Sequence, residues 1–121
     1  MVDSASFRPL ALTMGEPAGI GPDVTLAVWR ERRERNLPPF YVLADPEALR
    51  SRAALMGLDI PIETIDAPEA IDAFDRVLPV VALESHAVAA PGVPERSAAR
   101  GVIEAIARAV GDVRAGLASA L

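Results

Sequence analysis

The stretch Leu12-Thr13-Met14-Gly15-Glu16-Pro17-Ala18-Gly19-Ile20-Gly21-Pro22-Asp23 limits what this chain can fold into more than any other part of it. Three glycines and two prolines stand between an apolar run, Pro9 to Met14, and a segment with helical spacing. The run has no helical period and predicts a buried strand. Past the loop, Pro22 suits a first helical turn, Asp23 complements the helix dipole, and Val24, Ala27 and Val28 fall on one face. A helix is therefore expected to about Arg35. The result is a strand-turn-helix corner. Its glycines permit positive φ angles and let another molecule approach the backbone, beside a helix start that offers unpaired N–H groups. The same glycines and prolines also suit a tight turn with no ligand, in which Glu16 is a solvated carboxylate.

The glycine spacing excludes two common phosphate loops. A dinucleotide fingerprint starting at Gly19 requires glycine or alanine where the chain has Val24. A Walker loop starting at Gly15 requires glycine and lysine where it has Ile20 and Gly21.

Strands and helices alternate along the rest of the chain. Asn36-Leu37-Pro38-Pro39 ends the first helix, and Phe40 to Ala44 reads as a second strand from its aromatic and β-branched content. Asp45 is a candidate N-cap, Pro46 a first helical residue, and Gly57 a left-handed stop. Residues 60–65 form a candidate third strand, followed by a polar segment, 66–75. Val77 to Leu83 is a strand buried on both faces, in which Pro79 argues for an edge or a bulge. After an alanine- and proline-rich loop, Glu95 to about Arg114 carries a buried stripe at Ala98, Val102, Ile106, Ala109 and Val113, with Gly116 as its stop. Gly116 to Leu121 resembles the start of another strand. This order implies an α/β fold with a mostly parallel sheet and flanking helices, in one domain or part of one, residues 1–121.

Composition removes several functions. A net charge of −5 and a single basic cluster, Arg30 to Arg35, interrupted by two glutamates, argue against nucleic acid. That cluster reads as a solvated helix end. The absence of cysteine removes thiol chemistry and disulfides, and suits a reducing cytoplasm. With no lysine, the chain has neither a Schiff-base amine nor a P-loop lysine. Met1 to Leu10 does not read as a secretory signal, and no apolar run reaches the roughly 20 residues that span a bilayer, so no membrane partner is expected.

The run Leu12 to Asp23 resembles the opening signature of the 4-hydroxythreonine-4-phosphate dehydrogenase family of vitamin B6 biosynthesis. The resemblance continues through Val42-Leu43-Ala44-Asp45, through Arg52-Ala53-Ala54-Leu55-Met56-Gly57-Leu58, through the Ser97 to Ala109 helix, and into Ala118-Ser119-Ala120-Leu121. It implies an isocitrate/isopropylmalate dehydrogenase-like fold, here incomplete. It further implies that Gly15, Glu16, Pro17, Ala18, Gly19, Ile20 and Gly21 lie against NAD. Family members oxidise the 3-hydroxyl of 4-phosphohydroxy-L-threonine with NAD, and the β-keto acid loses carbon dioxide to give 3-amino-2-oxopropyl phosphate. A divalent metal cation polarises the substrate oxygen. The resemblance also implies a cytoplasmic homodimer.

The family's metal-binding histidines, its phosphate contacts and most of its second domain are expected beyond Leu121. This chain alone is thus expected to be an inactive N-terminal portion. Its single histidine, His86, cannot form a transition-metal site unaided, and is either a loop residue or, through its near-neutral pKa, a catalytic one. Asp45 is a helix cap or a ribose ligand. Asp72 with Asp75, and Glu63 with Asp66, read as solvated faces. Two alternatives share the same N-terminal corner: a family relative oxidising a sugar-acid phosphate or an aromatic cis-dihydrodiol carboxylate, and a truncated module that binds a nucleotide or pairs through unfinished sheet edges.

Overall fold

The computed structural model describes residues 7–86, 90–96 and 98–121. The N-terminal segment, residues 1–6, and Ser97 of the expected last helix lie outside the described residues. Four strands, β1 (Leu10–Thr13), β2 (Phe40–Ala44), β3 (Ile62–Thr64) and β4 (Leu78–Ala82), alternate with helices α1 (Gly21–Arg30), α2 (Pro46–Leu55), α3 (Ala70–Ala73) and α4 (Ala98–Arg114). A 3₁₀ turn, Ala67–Glu69, leads into α3. The strands form one parallel sheet in the order β1-β2-β4-β3.

Helices cover both faces of this sheet. All five residues of β2 are buried, and they alternate between two cores. Tyr41 and Leu43 face Ala105 and Ala109 of α4 together with Ala70 and Ala73 of α3. Phe40, Val42 and Ala44 face Leu26 and Trp29 of α1 and Leu49 and Ala53 of α2. A strand enclosed in this way reads as an unbroken apolar run, which is why its bounds match the expected 40–44. The phenol of Tyr41, carried into the core by the alternation, donates to Asp112 Oδ2 of α4 at 2.5 Å. Burial and then that bond push the phenol pKa well above the ordinary range.

The structure corrects several expectations. The buried face of α1 is Pro22, Thr25, Leu26 and Trp29, while Val24 is 51% exposed; the indole and Leu26 are larger than the valines and take the core side. Trp29 Nε1 donates to Phe74 O at 2.9 Å, which fixes that phase. The helix ends at Arg30, short of Arg35, because the next turns fold back: Arg32 stacks 3.6 Å over the Trp29 ring, and Arg33 pairs with Asp75 at 2.8 Å. The arginine cluster is therefore only partly a solvated helix end.

Within these four strands Pro79 lies in an interior strand, with continuous register on both sides and no bulge. Along β4 the amides alternate between neighbours, Leu78 N reaching Pro61 O and Leu83 N reaching Ala44 O. The missing N–H of Pro79 thus faces β2, and the β2–β4 pairing begins one residue later, at Val80.

In α4 the buried positions are Ala98, Ala105 and Ala109, and Ile106 is 49% exposed instead of buried. Alanines let this helix approach the sheet closely, and its branched residues Ile103, Ile106 and Val110 point outward. Residues 117–121 are not a strand, yet Ser119 N donates to Pro9 O and Ala11 N to Ala120 O along the outer edge of β1. The polar segment 66–75 contains a helix not expected there, α3, its 3₁₀ lead-in opened by Glu69 Oε1 accepting from the Asp66 amide at 3.0 Å.

Two glycines make opposite predictions. A Cβ on Gly21 would stand 1.9 Å from Met14 O, where the start of α1 crosses the end of β1. Gly21→Ala is expected to destabilise by about 3 kcal/mol or more, since backbone must move. Gly111, inside α4, has no atom within 4 Å of such a Cβ, and Gly111→Ala is expected to stabilise by about 0.5–1 kcal/mol. Urea midpoints of the two variants check both signs.

Candidate functional site at the carboxyl ends of the strands

Because the strands are parallel, the segments following β1, β2 and β4 emerge at one edge of the sheet, where open α/β sheets carry their ligand sites. The corner of residues 14–21, Asp45, and the loop from Leu83 to His86 meet there around a small cavity lined in part by Gly15, Pro17, Asp45 and Ser85. At about 30 Å³ the cavity holds a water or two, far less than a nucleotide requires.

The corner has an asymmetric hydrogen-bond pattern. Gly15 sits at φ +74°, turning the chain out of β1. Every carbonyl from Glu16 to Gly21 is then taken by the protein itself. Glu16 O accepts from Gly19 N at 2.9 Å, Ala18 O from Gly92 N at 2.8 Å, Ile20 O from Val24 N at 3.0 Å, and Gly21 O from Thr25 Oγ1 at 2.8 Å. Pro17 O and Gly19 O accept from the two terminal nitrogens of Arg52, at 2.7 and 2.9 Å. Among the amides, Ala18 N reaches Glu16 Oε1 at 3.0 Å, so Glu16 is a loop brace and not a freely solvated carboxylate. The amides of Gly15, Glu16, Ile20 and Gly21 have no partner among the described residues. The expectation of bare amides along the whole corner is thus narrowed to these four, with Ala18 and Gly19 satisfied internally. Saturated acceptors beside open donors give this edge a partial positive character, reinforced by the start of α1.

Arg52 was not singled out in the sequence. It projects from α2, is 4% exposed, and pairs through Nη1 with Asp23 Oδ1 at 2.6 Å. Its signal is its phase: it shares the buried side of α2 with Ala48, Leu49 and Ala53, where an arginine must be compensated.

Asp45 is the expected cap, its Oδ1 accepting from Glu47 N at 3.0 Å. His86 Nδ1 lies 3.5 Å from Asp45 Oδ2, with the imidazole 83% exposed. That pair is no metal cluster, and among the described residues no group of three histidines, cysteines or carboxylates could hold an ion. The residues present do not fit the divalent cation. Glu63, Asp66, Asp72 and Asp75 are all exposed, the solvated faces expected of them, with Asp75 bonded to Arg33 and Asp66 opening a helical turn.

Glu104 of α4 is a second residue the sequence did not mark. Its carboxylate accepts from the Glu84 and Ser85 amides at 2.7 and 3.0 Å, holding the loop that follows β4. Burial raises its pKa, but those bonds and Arg108 outweigh it, and the carboxyl titrates below the ordinary glutamate range.

No family model matches the chain. A 4-hydroxythreonine-4-phosphate dehydrogenase of Methylorubrum populi is 47% identical over 116 residues, 94% of this chain and 33% of that protein. One of Bradyrhizobium diazoefficiens is 50% identical over 123 residues, again 94% of this chain and 35% of that protein. Over this span the chain is a homologue of the 4-hydroxythreonine-4-phosphate dehydrogenases. It spans about a third of the length of these curated relatives. Among solved structures, a 4-hydroxythreonine-4-phosphate dehydrogenase from Burkholderia phymatum superposes with a TM-score of 0.79 at 22% identity, over 93% of this chain and 34% of that one, which supports the same fold. These curated relatives are named as dehydrogenases.

The lowered pKa of Glu104 has a signed consequence. Its contribution to stability is complete above the ordinary glutamate pKa of about 4.3 and is lost as the pH falls through the depressed folded value. Wild type and Glu104→Gln are expected to differ in urea midpoint near neutral pH and to converge as the pH falls below the ordinary glutamate value. A difference that stays constant over that range would contradict the geometry.

Proposed function

We propose that this chain supplies the coenzyme-facing corner of an NAD-dependent 4-hydroxythreonine-4-phosphate dehydrogenase, acting in pyridoxal 5'-phosphate biosynthesis. In this reading the parent oxidises 4-phosphohydroxy-L-threonine and releases carbon dioxide to give 3-amino-2-oxopropyl phosphate. NAD supplies the hydride acceptor. The observation that carries the reading is the corner itself: its acceptors are turned inward, and the amides of Gly15, Glu16, Ile20 and Gly21 are left for an anionic or carbonyl oxygen. The dehydrogenase relatives at 47% and 50% identity support it.

The work of this chain's residues is binding and orientation. Glu16, Pro17, Ala18 and Gly19 brace the loop, Ile20 and Gly21 present donors beside the start of α1, and Gly15 sets the turn. Among the described residues no helix is long and apolar enough to cross a membrane. The divalent metal, a homodimeric assembly and a cytoplasmic setting belong to the remainder of the same proposal, with the metal ligands outside this chain.

Adding NAD to the labelled 121-residue chain is expected to shift the amide resonances of Ile20 and Gly21 and to leave those of β3, at the far edge, in place. Binding that perturbs other residues and spares the corner would refute this reading. A longer protein containing this portion is expected to turn over the phosphorylated hydroxy-amino acid with NAD and a divalent cation; turnover of only a dihydrodiol carboxylate would refute the substrate.

A further inference from the structure

We infer that Arg52 is a positioning residue that aims the Ile20 amide at the ligand. The inference rests on the proposal that an oxygen of NAD lies against this corner. A trans peptide is planar, with its C=O and the following N–H pointing in opposite directions. Arg52 Nη1 draws the Gly19 carbonyl inward at 2.9 Å, and the N–H of Ile20, in the same peptide plane, is thereby turned outward. Arg52 Nη2 does the same to the Pro17 carbonyl at 2.7 Å, turning out the Ala18 amide, which Glu16 Oε1 then occupies at 3.0 Å. One planar guanidinium thus sets the direction of two peptide planes two residues apart.

The geometry requires an arginine and not merely a cation. A fork of fixed nitrogens takes both carbonyls at once, whereas an ammonium on a flexible stem is a point charge that does not hold the two planes in register. Asp23 Oδ1, 2.6 Å from Nη1, balances the charge of a side chain only 4% exposed. Asp23 touches the guanidinium and not the loop carbonyls, so its removal leaves both planes held. No part of this arrangement is needed to close the sheet, since among the described residues the Arg52 side chain bonds only to the corner and to Asp23.

The test compares wild type, Arg52→Lys, Arg52→Met and Asp23→Asn in the full 121-residue chain. In Arg52→Lys the amide signals of Val42 and Leu43 in β2 are expected to stay in place while those of Ala18, Gly19 and Ile20 move and exchange at least about tenfold faster. Asp23→Asn is expected to leave the corner signals near those of wild type. NAD affinity is expected to fall at least about tenfold in Arg52→Lys, with no rescue by the conserved charge. Should Arg52→Met fail to fold, Arg52→Lys decides. Unchanged corner amides in Arg52→Lys, or NAD affinity within about twofold of wild type, would overturn the inference. If wild type shows no NAD effect at the corner, the coenzyme reading fails and with it the role toward NAD, while the amide comparison still decides whether Arg52 sets the loop.

Discussion

A guanidinium buried beneath a polar loop is the interaction on which the rest of this edge depends. Removing an arginine from water is costly unless its donors and charge are matched, and Arg52 is matched by two backbone carbonyls and one carboxylate. The loop gains as much from the arrangement. Three glycines leave the corner little side-chain packing, so a forked donor from a neighbouring helix takes the two carbonyls, Pro17 O and Gly19 O, that the corner's own amides do not reach. Removing the arginine from such a buried set generally costs about 3–5 kcal/mol, because the carbonyls and the carboxylate are left without their shared partner.

The parallel sheet makes this local device useful. Strands running in one direction deliver their following loops to a single edge, so the corner after β1, the Asp45 cap after β2 and the loop after β4 become neighbours although they are far apart in sequence. Two helices hold the three segments: α2 through Arg52 and through its own N-cap at Asp45, and α4 through Glu104. The edge is therefore braced by side chains from covering helices, while the sheet behind it is an apolar core with two faces.

Much of the fold was legible in the sequence, and what was not has a common cause. Phe40 to Ala44 could be bounded because burial on both faces leaves no polar interruption, and Asp45-Pro46 and Gly57 mark their helix by local chemistry. The buried face of α1 was misread because small β-branched residues at helical spacing compete with Leu26 and Trp29 one step away, and only the partner of the indole, Phe74 O, decides between them. Arg52 and Glu104 were missed for the same reason: each looks like an ordinary helical charge until the loop carbonyls or amides it meets, 33–35 and 19–20 residues away, are in place. The corner could be recognised as special from its glycines and prolines alone, but which of its amides remain open depends on these distant partners.

The bonds from residues 119 and 120 to the outer edge of β1 have a kinetic consequence. They join positions separated by about 110 residues, and the entropy lost on closing that loop is repaid only once Ala118 packs into the core with Ala11. Contacts of such long range are reached late, after β1 has paired with β2 on its other side. The first strand is thus expected to pass part of its folding time with one flank uncovered, a window in which a neighbouring chain can pair with it.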